Sequence, residues 1–233
     1  LAAAQVESIC GRALEADDRH QAIRLLHRLL PQLDATVPGL RNGGLFAMHE
    51  LEHGVPRRAD WRDSVEQASA ALAVRGRALI QALAFSTEEL PGPGVLLVAR
   101  NRKTAVAVLL DRPDEIDAAS DRFDGASPVS YALARADREN LDFVLVVAGS
   151  TVRLYPARPG VGAGRRGRSE TFVEVNLDLL PAEAAGYLWL LFSADAISDA
   201  GTFHQILERS EDYAADLGGR LRERVYREVI PQL

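Results

Sequence analysis

LDFVLVVAGSTVRLYPA, residues 141–157, decides the architecture of this chain. Two runs rich in β-branched residues, 142–148 and 151–157, flank Gly149-Ser150. A short glycine-led break between such runs is the signal for a β-hairpin. Upstream, residues 128–139 read as a helix with Pro128 near its first turn, where a missing N–H costs nothing. Before that helix, an acidic loop, DRPDEIDAASDRFDG (111–125), follows VLLVAR (95–100) and TAVAVLL (104–110), two β-type runs joined by the tight polar turn Asn101-Arg102-Lys103. Downstream, a flexible loop, GVGAGRRGR (160–168), leads into a further strand, TFVEVN (171–176).

The flanks have a different grammar. Residues 1–35 carry Ile9, Leu14, Ile23, Leu26, Leu29, Leu30 and Leu33 near helical spacing, bent at Pro31 and broken at Pro38-Gly39. A short helix is expected within 40–53, after the Asn42-Gly43-Gly44 turn and closed by Gly54-Val55-Pro56. A long helix is expected over 61–85, with Asp60 as its N-cap. The pattern is helical again from Leu179 onward. The fold class is therefore α/β (α+β): a mixed sheet flanked by N-terminal and C-terminal helices. The divisions are a helical N-terminal arm (1–90), an α/β core (91–176) and a helical C-terminal connector (177–233).

Composition sets outer bounds. With 233 residues, 47% hydrophobic and 26% charged, the chain can bury a sizeable core. No apolar run reaches the roughly 18–20 residues of a membrane span, so no membrane partner is expected and the cytoplasm is the default location. The net charge of −6 argues against a dedicated nucleic-acid module, although the distribution of charge counts for more than its sum. The lone cysteine, Cys10, excludes an internal disulfide and reads as a small buried hydrophobe. The chain starts at Leu1 and its sole methionine is Met48, the pattern of a segment of a longer polypeptide.

His49-Glu50-Leu51-Glu52-His53 spells H-E-x-x-H, in which two histidines on one helix face ligate zinc and the glutamate activates bound water. Glu52 places a charge between Glu50 and His53. Pro56 and Ala59 stand where the extended motif needs Gly and His, and Glu66 is the nearest third ligand. A short helix with Leu45, Phe46, Met48 and Leu51 facing a core and the histidines on its wetter side explains the same residues. A zinc hydrolase on His49, Glu50 and His53 stays as the rival reading, and a standalone α/β interaction domain as a third. Phe143, Tyr155, Phe172, Trp189 and Phe192 read as core aromatics. Ser150 lacks the context of an activated nucleophile.

Several strings taken in order resemble the N-terminal region of large bacterial S-adenosylmethionine-dependent DNA adenine methyltransferases, the type IIG-like restriction–modification proteins. They are NGGLFAMHELEHGVPRRADW (42–61), LDFVLVVAGSTVRLYPA, FVEVNLDLL (172–180), YLWLLFSADAI (187–197) and ILERSEDYAADLGGRLRERVYREVIPQL (206–233). The chain departs from the family at Ala148-Gly149, where Asn-Gly is common, and at Val152, where Trp is common. The resemblance implies a PD-(D/E)xK nuclease core and a helical connector upstream of a methylating domain. It also implies DNA and that same-chain methyltransferase domain as partners, S-adenosylmethionine as the cofactor of the full-length parent, and a role in restriction–modification or phage defence.

The chemistry of both activities has specific demands. A nuclease of this type needs an acid and a lysine two residues apart on one strand, to hold Mg²⁺ and activate water. TAVAVLLDRP carries no glutamate and no lysine, and Lys103, the sole lysine, lies at the wrong end. Asp111, Asp114 and Glu115 are the nearby carboxylates, read as a solvated loop with a Mg²⁺ site as the alternative. An inactive nuclease-like scaffold is expected. Gly160–Gly164 precedes arginines and a strand rather than a helix, and no P-P-Y occurs, so no cofactor is expected in this segment. Arg165, Arg166 and Arg168 on the flexible loop, with Arg100, Arg102 and Lys103 on the first hairpin, are the expected DNA contacts. Arg220, Arg222, Arg224 and Arg227 against Glu223 and Glu228 read as an ion-paired helix face that can also dock on the methyltransferase domain.

Overall fold

A computed structural model describes residues 37–164 and 167–224, together with scattered helical positions between 10 and 26. Most of the helix expected over 1–35 therefore lies outside the described residues. Cys10 is described, and it is exposed rather than buried.

Seven strands form one sheet: β1 (Leu40–Asn42), β2 (Ser86–Glu89), β3 (Val95–Ala99), β4 (Arg102–Leu110), β5 (Phe143–Ala148), β6 (Thr151–Pro156) and β7 (Val173–Asn176). Their order across the sheet is β1-β7-β6-β5-β4-β3-β2. All neighbours are antiparallel except β4 and β5, which run parallel. A parallel pair needs a crossover, and the described helices begin with α1 (Trp61–Leu72) and α2 (Gly76–Ala82), followed by α3 (Pro128–Glu139), which supplies it. Two more helices follow, α4 (Gly186–Phe192) and α5 (Thr202–Arg224).

Local chemistry explains most boundaries. The β5–β6 hairpin turns at Gly149-Ser150 as expected, with Gly149 at φ 55° and Ala148 facing Thr151. The β3–β4 turn sits earlier than expected, on Arg100 and Asn101, both at positive φ. That is the geometry a two-residue hairpin turn demands, and it places Arg102 and Lys103 in the strand. Helix α3 starts where Ser127 Oγ accepts the N–H of Ser130 and stops at Asn140, φ 52°. Serine N-caps and left-handed C-terminal asparagines do this at low cost.

The long helix expected over 61–85 is in fact two, broken at 73–75. Asp60 stands at the N-cap position of α1 without a side-chain cap, because its carboxylate is taken by Arg58. The helix expected from Leu40 begins as strand β1, whose ladder to β7 outcompetes it. Two strands, β1 and β2, thus lie in the stretch expected to be wholly helical.

Both faces of the sheet are covered. One carries Val95, Leu97, Ala107, Leu145, Leu154 and Val175 against buried residues of α1, α2, α4 and the start of α5. The other carries Leu96, Val108, Val144 and Val146 against Val129, Ala132 and Ala136 of α3. Two-sided cover is why the central strands are nearly unbroken apolar runs. Phe143, Tyr155, Phe172 and Phe192 are buried and Trp189 is half-buried. Among the described residues, no helix is long and apolar enough to cross a membrane.

Candidate functional site

The H-E-x-x-H stretch is shaped from its N-terminal side by Asn42. Its Oδ1 accepts the N–H groups of Leu45 and Phe46 at 3.1 Å each, and its Nδ2 donates to Phe46 O at 2.7 Å. The chain then enters a single π-helical turn, Glu50–Gly54, closed by Val55 N–H donating to Glu50 O. Pro56 lacks an N–H and cannot continue a regular ladder, so a 3-10 turn, Val55–Arg57, follows. Leu45, Phe46, Leu51 and Val55 are buried beneath these turns, while Met48, expected in the core, is 50% exposed. The buried Tyr187 hydroxyl of α4 donates to Leu51 O at 2.6 Å and fixes the turn from below. Burial pushes the Tyr187 hydroxyl up to about 12, with the nearby Glu52 charge adding to it.

Above the turn lies an open cleft of about 570 Å³, lined by His49, Glu50, His53, Gly54, Arg57, Arg58, Ala59 and Asp60 and by Gln205 and Arg209 of α5. The two imidazoles meet edge to face with centroids 4.9 Å apart, and His49 stacks on Tyr213 of α5 at 4.5 Å and 12°. The Glu50 carboxylate folds back onto Gly54, where an added Cβ would come within 2.2 Å of it. Its side chain is 12% exposed, Arg209 approaches to 3.8 Å, and Oε1 is buried without a hydrogen bond. Arg58 grips Asp60 with two bonds of 2.8 Å and reaches Gln205 at 3.1 Å. That grip holds the Asp60 carboxyl below its ordinary value. Arg57 is exposed and has no acidic partner among the described residues.

The metal readings meet a different geometry. His49 and His53 are brought together, but Glu66 points away, 72% exposed and 3.8 Å from Arg62. Asp114 and Glu115 lie 3.8 and 3.2 Å from Arg112, on a loop where Asp111 is exposed. Among the described residues, no group of three or more His, Cys, Asp or Glu side chains is arranged to hold a metal ion.

The Gly160–Gly164 loop packs on the backbone of Gly44 and Leu45. Ala163 N–H donates to Leu45 O at 3.0 Å, Gly164 N–H to Gly44 O at 2.8 Å and Gly162 N–H to Glu211 at 3.3 Å. These three donors are spent within the chain, and the loop leads to a 3-10 turn (Arg168–Glu170) and β7 rather than to a helix.

The expected DNA contacts divide. Arg100, Arg102 and Lys103 line one cleft of about 340 Å³ with Arg158, Asp142 and His204. Each basic residue there faces a carboxylate: Arg100 with Asp195 at 2.9 Å, Arg102 with Asp199, Lys103 with Glu88 at 3.4 Å, and Arg158 with Asp142. Arg168 is committed to Asp137 through bonds of 2.7 and 3.1 Å and to Ala157 O at 2.6 Å. Arg165 and Arg166 lie outside the described residues. So do the side chains of Arg222, Glu223, Arg224, Arg227 and Glu228, while Arg220 pairs with Asp216 at 2.6 Å.

On the α3 face, a charged group is buried within the sheet. Arg153 of β6 and Glu174 of β7 are register partners, 6% and 2% exposed, joined at 2.6 Å. Arg153 also donates to Tyr155 at 2.8 Å, lies 3.3 Å from Asp117 and covers the Phe172 ring at 4.4 Å. Burial is the largest influence and opposes the Arg153 charge, but Glu174, Tyr155 and Asp117 together outweigh it and hold the guanidinium above its ordinary value.

The sequence reading passed over Arg57, Arg58, Gln205, Arg209 and Tyr213. The doublet Arg57-Arg58 directly after Pro56 was the available signal, whereas the residues from α5 lie some 150 positions away and only packing brings them in. No protein-family model, no curated protein and no solved structure matches this chain.

Proposed function

We propose that this chain is the N-terminal region of a bacterial DNA adenine methyltransferase of a restriction–modification or phage-defence system, serving as a non-catalytic scaffold that contacts DNA. The observation that carries the reading is the strand order. Helix α2 precedes three antiparallel strands, β2, β3 and β4, and α3 then crosses to β5, parallel to β4. Within it lies an α-β-β-α-β run, which fits the nuclease core that the family resemblance implies upstream of the methylating domain. Strand β4, which would carry the acid and the lysine, instead has Ala105, Val106, Ala107 and Val108 fully buried. Aliphatic side chains cannot hold a divalent ion, whose ligands are oxygens.

S-adenosylmethionine and the methyl transfer belong, in this reading, to the domain that follows. Leu217 of α5, 46% exposed, offers that domain an apolar contact. Two measurements test the proposal together. Supplied with supercoiled plasmid and Mg²⁺ or Mn²⁺, the chain leaves the plasmid intact, and the reading frame past the Leu233 codon encodes a glycine-rich cofactor turn and an adenine-gripping N/D-P-P-Y motif. Metal-dependent nicking by this chain, or a stop codon directly after Leu233, would overturn it.

A further inference from the structure

We infer that the cleft between the Glu50–Gly54 turn and α5 is a phosphate site that takes one phosphodiester of a DNA strand, with the adjoining sugar or base against Tyr213. The inference rests on the DNA-contact reading above and gives it a location that the sequence did not indicate.

Charge comes first. Three guanidinium groups, Arg57, Arg58 and Arg209, line the cleft with two carboxylates, Glu50 and Asp60, which leaves a surplus of one positive charge. Both carboxylates are already engaged. Asp60 is held by Arg58, and Glu50 is folded onto Gly54 with Arg209 beside it. The surplus therefore resides on Arg57, whose charge is open to solvent. A phosphodiester carries one negative charge, so a single backbone phosphate balances the cleft. At the β3–β4 hairpin, by contrast, Arg100, Arg102 and Lys103 each meet a carboxylate.

Shape and the rim point the same way. A volume of about 570 Å³ exceeds what a lone phosphate fills and leaves room for the attached sugar. At the edge, Tyr213 is 38% exposed and stacked on His49. Imidazole N–H groups of His49 and His53 add donors to the wall. A basic floor with an aromatic rim suits a DNA backbone, the cation on its phosphate and the ring against the adjoining sugar. The floor is rigid, because Arg57 follows a turn pinned by Tyr187 and Arg58 is locked to Asp60. Little side-chain order is then lost on binding.

The test is fluorescence anisotropy of a labelled DNA duplex with the full 233-residue chain, over roughly 50 to 200 mM salt, where counterion release makes log Kd linear in log salt. Arg57→Ala lowers the salt slope by about one, the loss of a single phosphate contact, and Arg209→Ala, which takes the cation from beside Glu50, weakens binding. Tyr213→Ala weakens binding and leaves the slope in place. Arg62→Ala, on the outer face of α1 and 90% exposed, leaves both unchanged. Wild-type binding whose slope survives Arg57→Ala would overturn the cleft site and leave the DNA-contact reading standing. A wild-type chain that binds no duplex would overturn that reading and the site with it.

Discussion

Tyr187 and Arg153 show how single residues hold the frame on which the cleft depends. The Tyr187 hydroxyl is the tie between α4 and the π-helical turn, and Leu51 O is its acceptor. Tyr187→Phe leaves that buried carbonyl unsatisfied and costs about 1–3 kcal/mol, read from the urea midpoint. The same group makes stability pH-dependent at the alkaline end. Its folded value lies above its unfolded value near 10, so the folded state keeps the proton longer. The contribution is complete below pH 10 and is lost as pH rises from 10 through about 12, a loss that Tyr187→Phe removes. Arg153 acts differently, because its partner Glu174 is 2% exposed. Arg153→Met strands that carboxylate and costs about 3–5 kcal/mol, whereas Arg153→Met with Glu174→Leu recovers most of the loss. If the double variant is as unstable as the single one, the pair is not the source of the cost.

Among the elements, α4 sits closest to the site's foundation. Its first residue, Gly186, lets the Trp61 ring of α1 lie directly on the helix backbone; an added Cβ would meet ring carbons at 2.8 Å. An indole in a packed core has little room to move, so Gly186→Ala is expected to cost about 1–3 kcal/mol by urea denaturation. A change below 0.5 kcal/mol would show that the α1–α4 contact yields easily, roughly the scatter of a neutral surface substitution. The legible elements were those whose chemistry is local. Helix α3 carries its own serine cap and asparagine stop, and the β5–β6 hairpin its own Gly149 turn. The missed strands have no such signal. β2 reads Ser-Thr-Glu-Glu, exposed along its length, and is a strand only because it pairs with β3. β1 is three residues whose partner, β7, lies more than 130 positions away. The single helix expected over 61–85 failed for the converse reason, since its apolar spacing persists across the break at 73–75.

At the scale of the whole molecule, the sheet order was half legible: the β-β-α-β-β run could be read, but β1, β2 and their places at the two edges could not. The site was less legible still. His49, Glu50 and His53 stood out as letters, yet the motif says nothing of the carboxylate lying on Gly54 or of the α5 residues that complete the cleft. The expected basic contacts at Arg100, Arg102 and Lys103 were visible, whereas their acidic partners Asp195, Asp199 and Glu88 arrive from other parts of the chain. What the fold assembles is a seven-stranded mixed sheet whose β4 carries no carboxylate, and a basic cleft between the Glu50–Gly54 turn and α5. The most direct test of that account is the salt dependence of duplex-DNA affinity. One phosphate-facing arginine, Arg57, predicts a log–log slope of about −1 or steeper with no strand cleavage in Mg²⁺, and a flat slope, absent binding or metal-dependent cutting would contradict it.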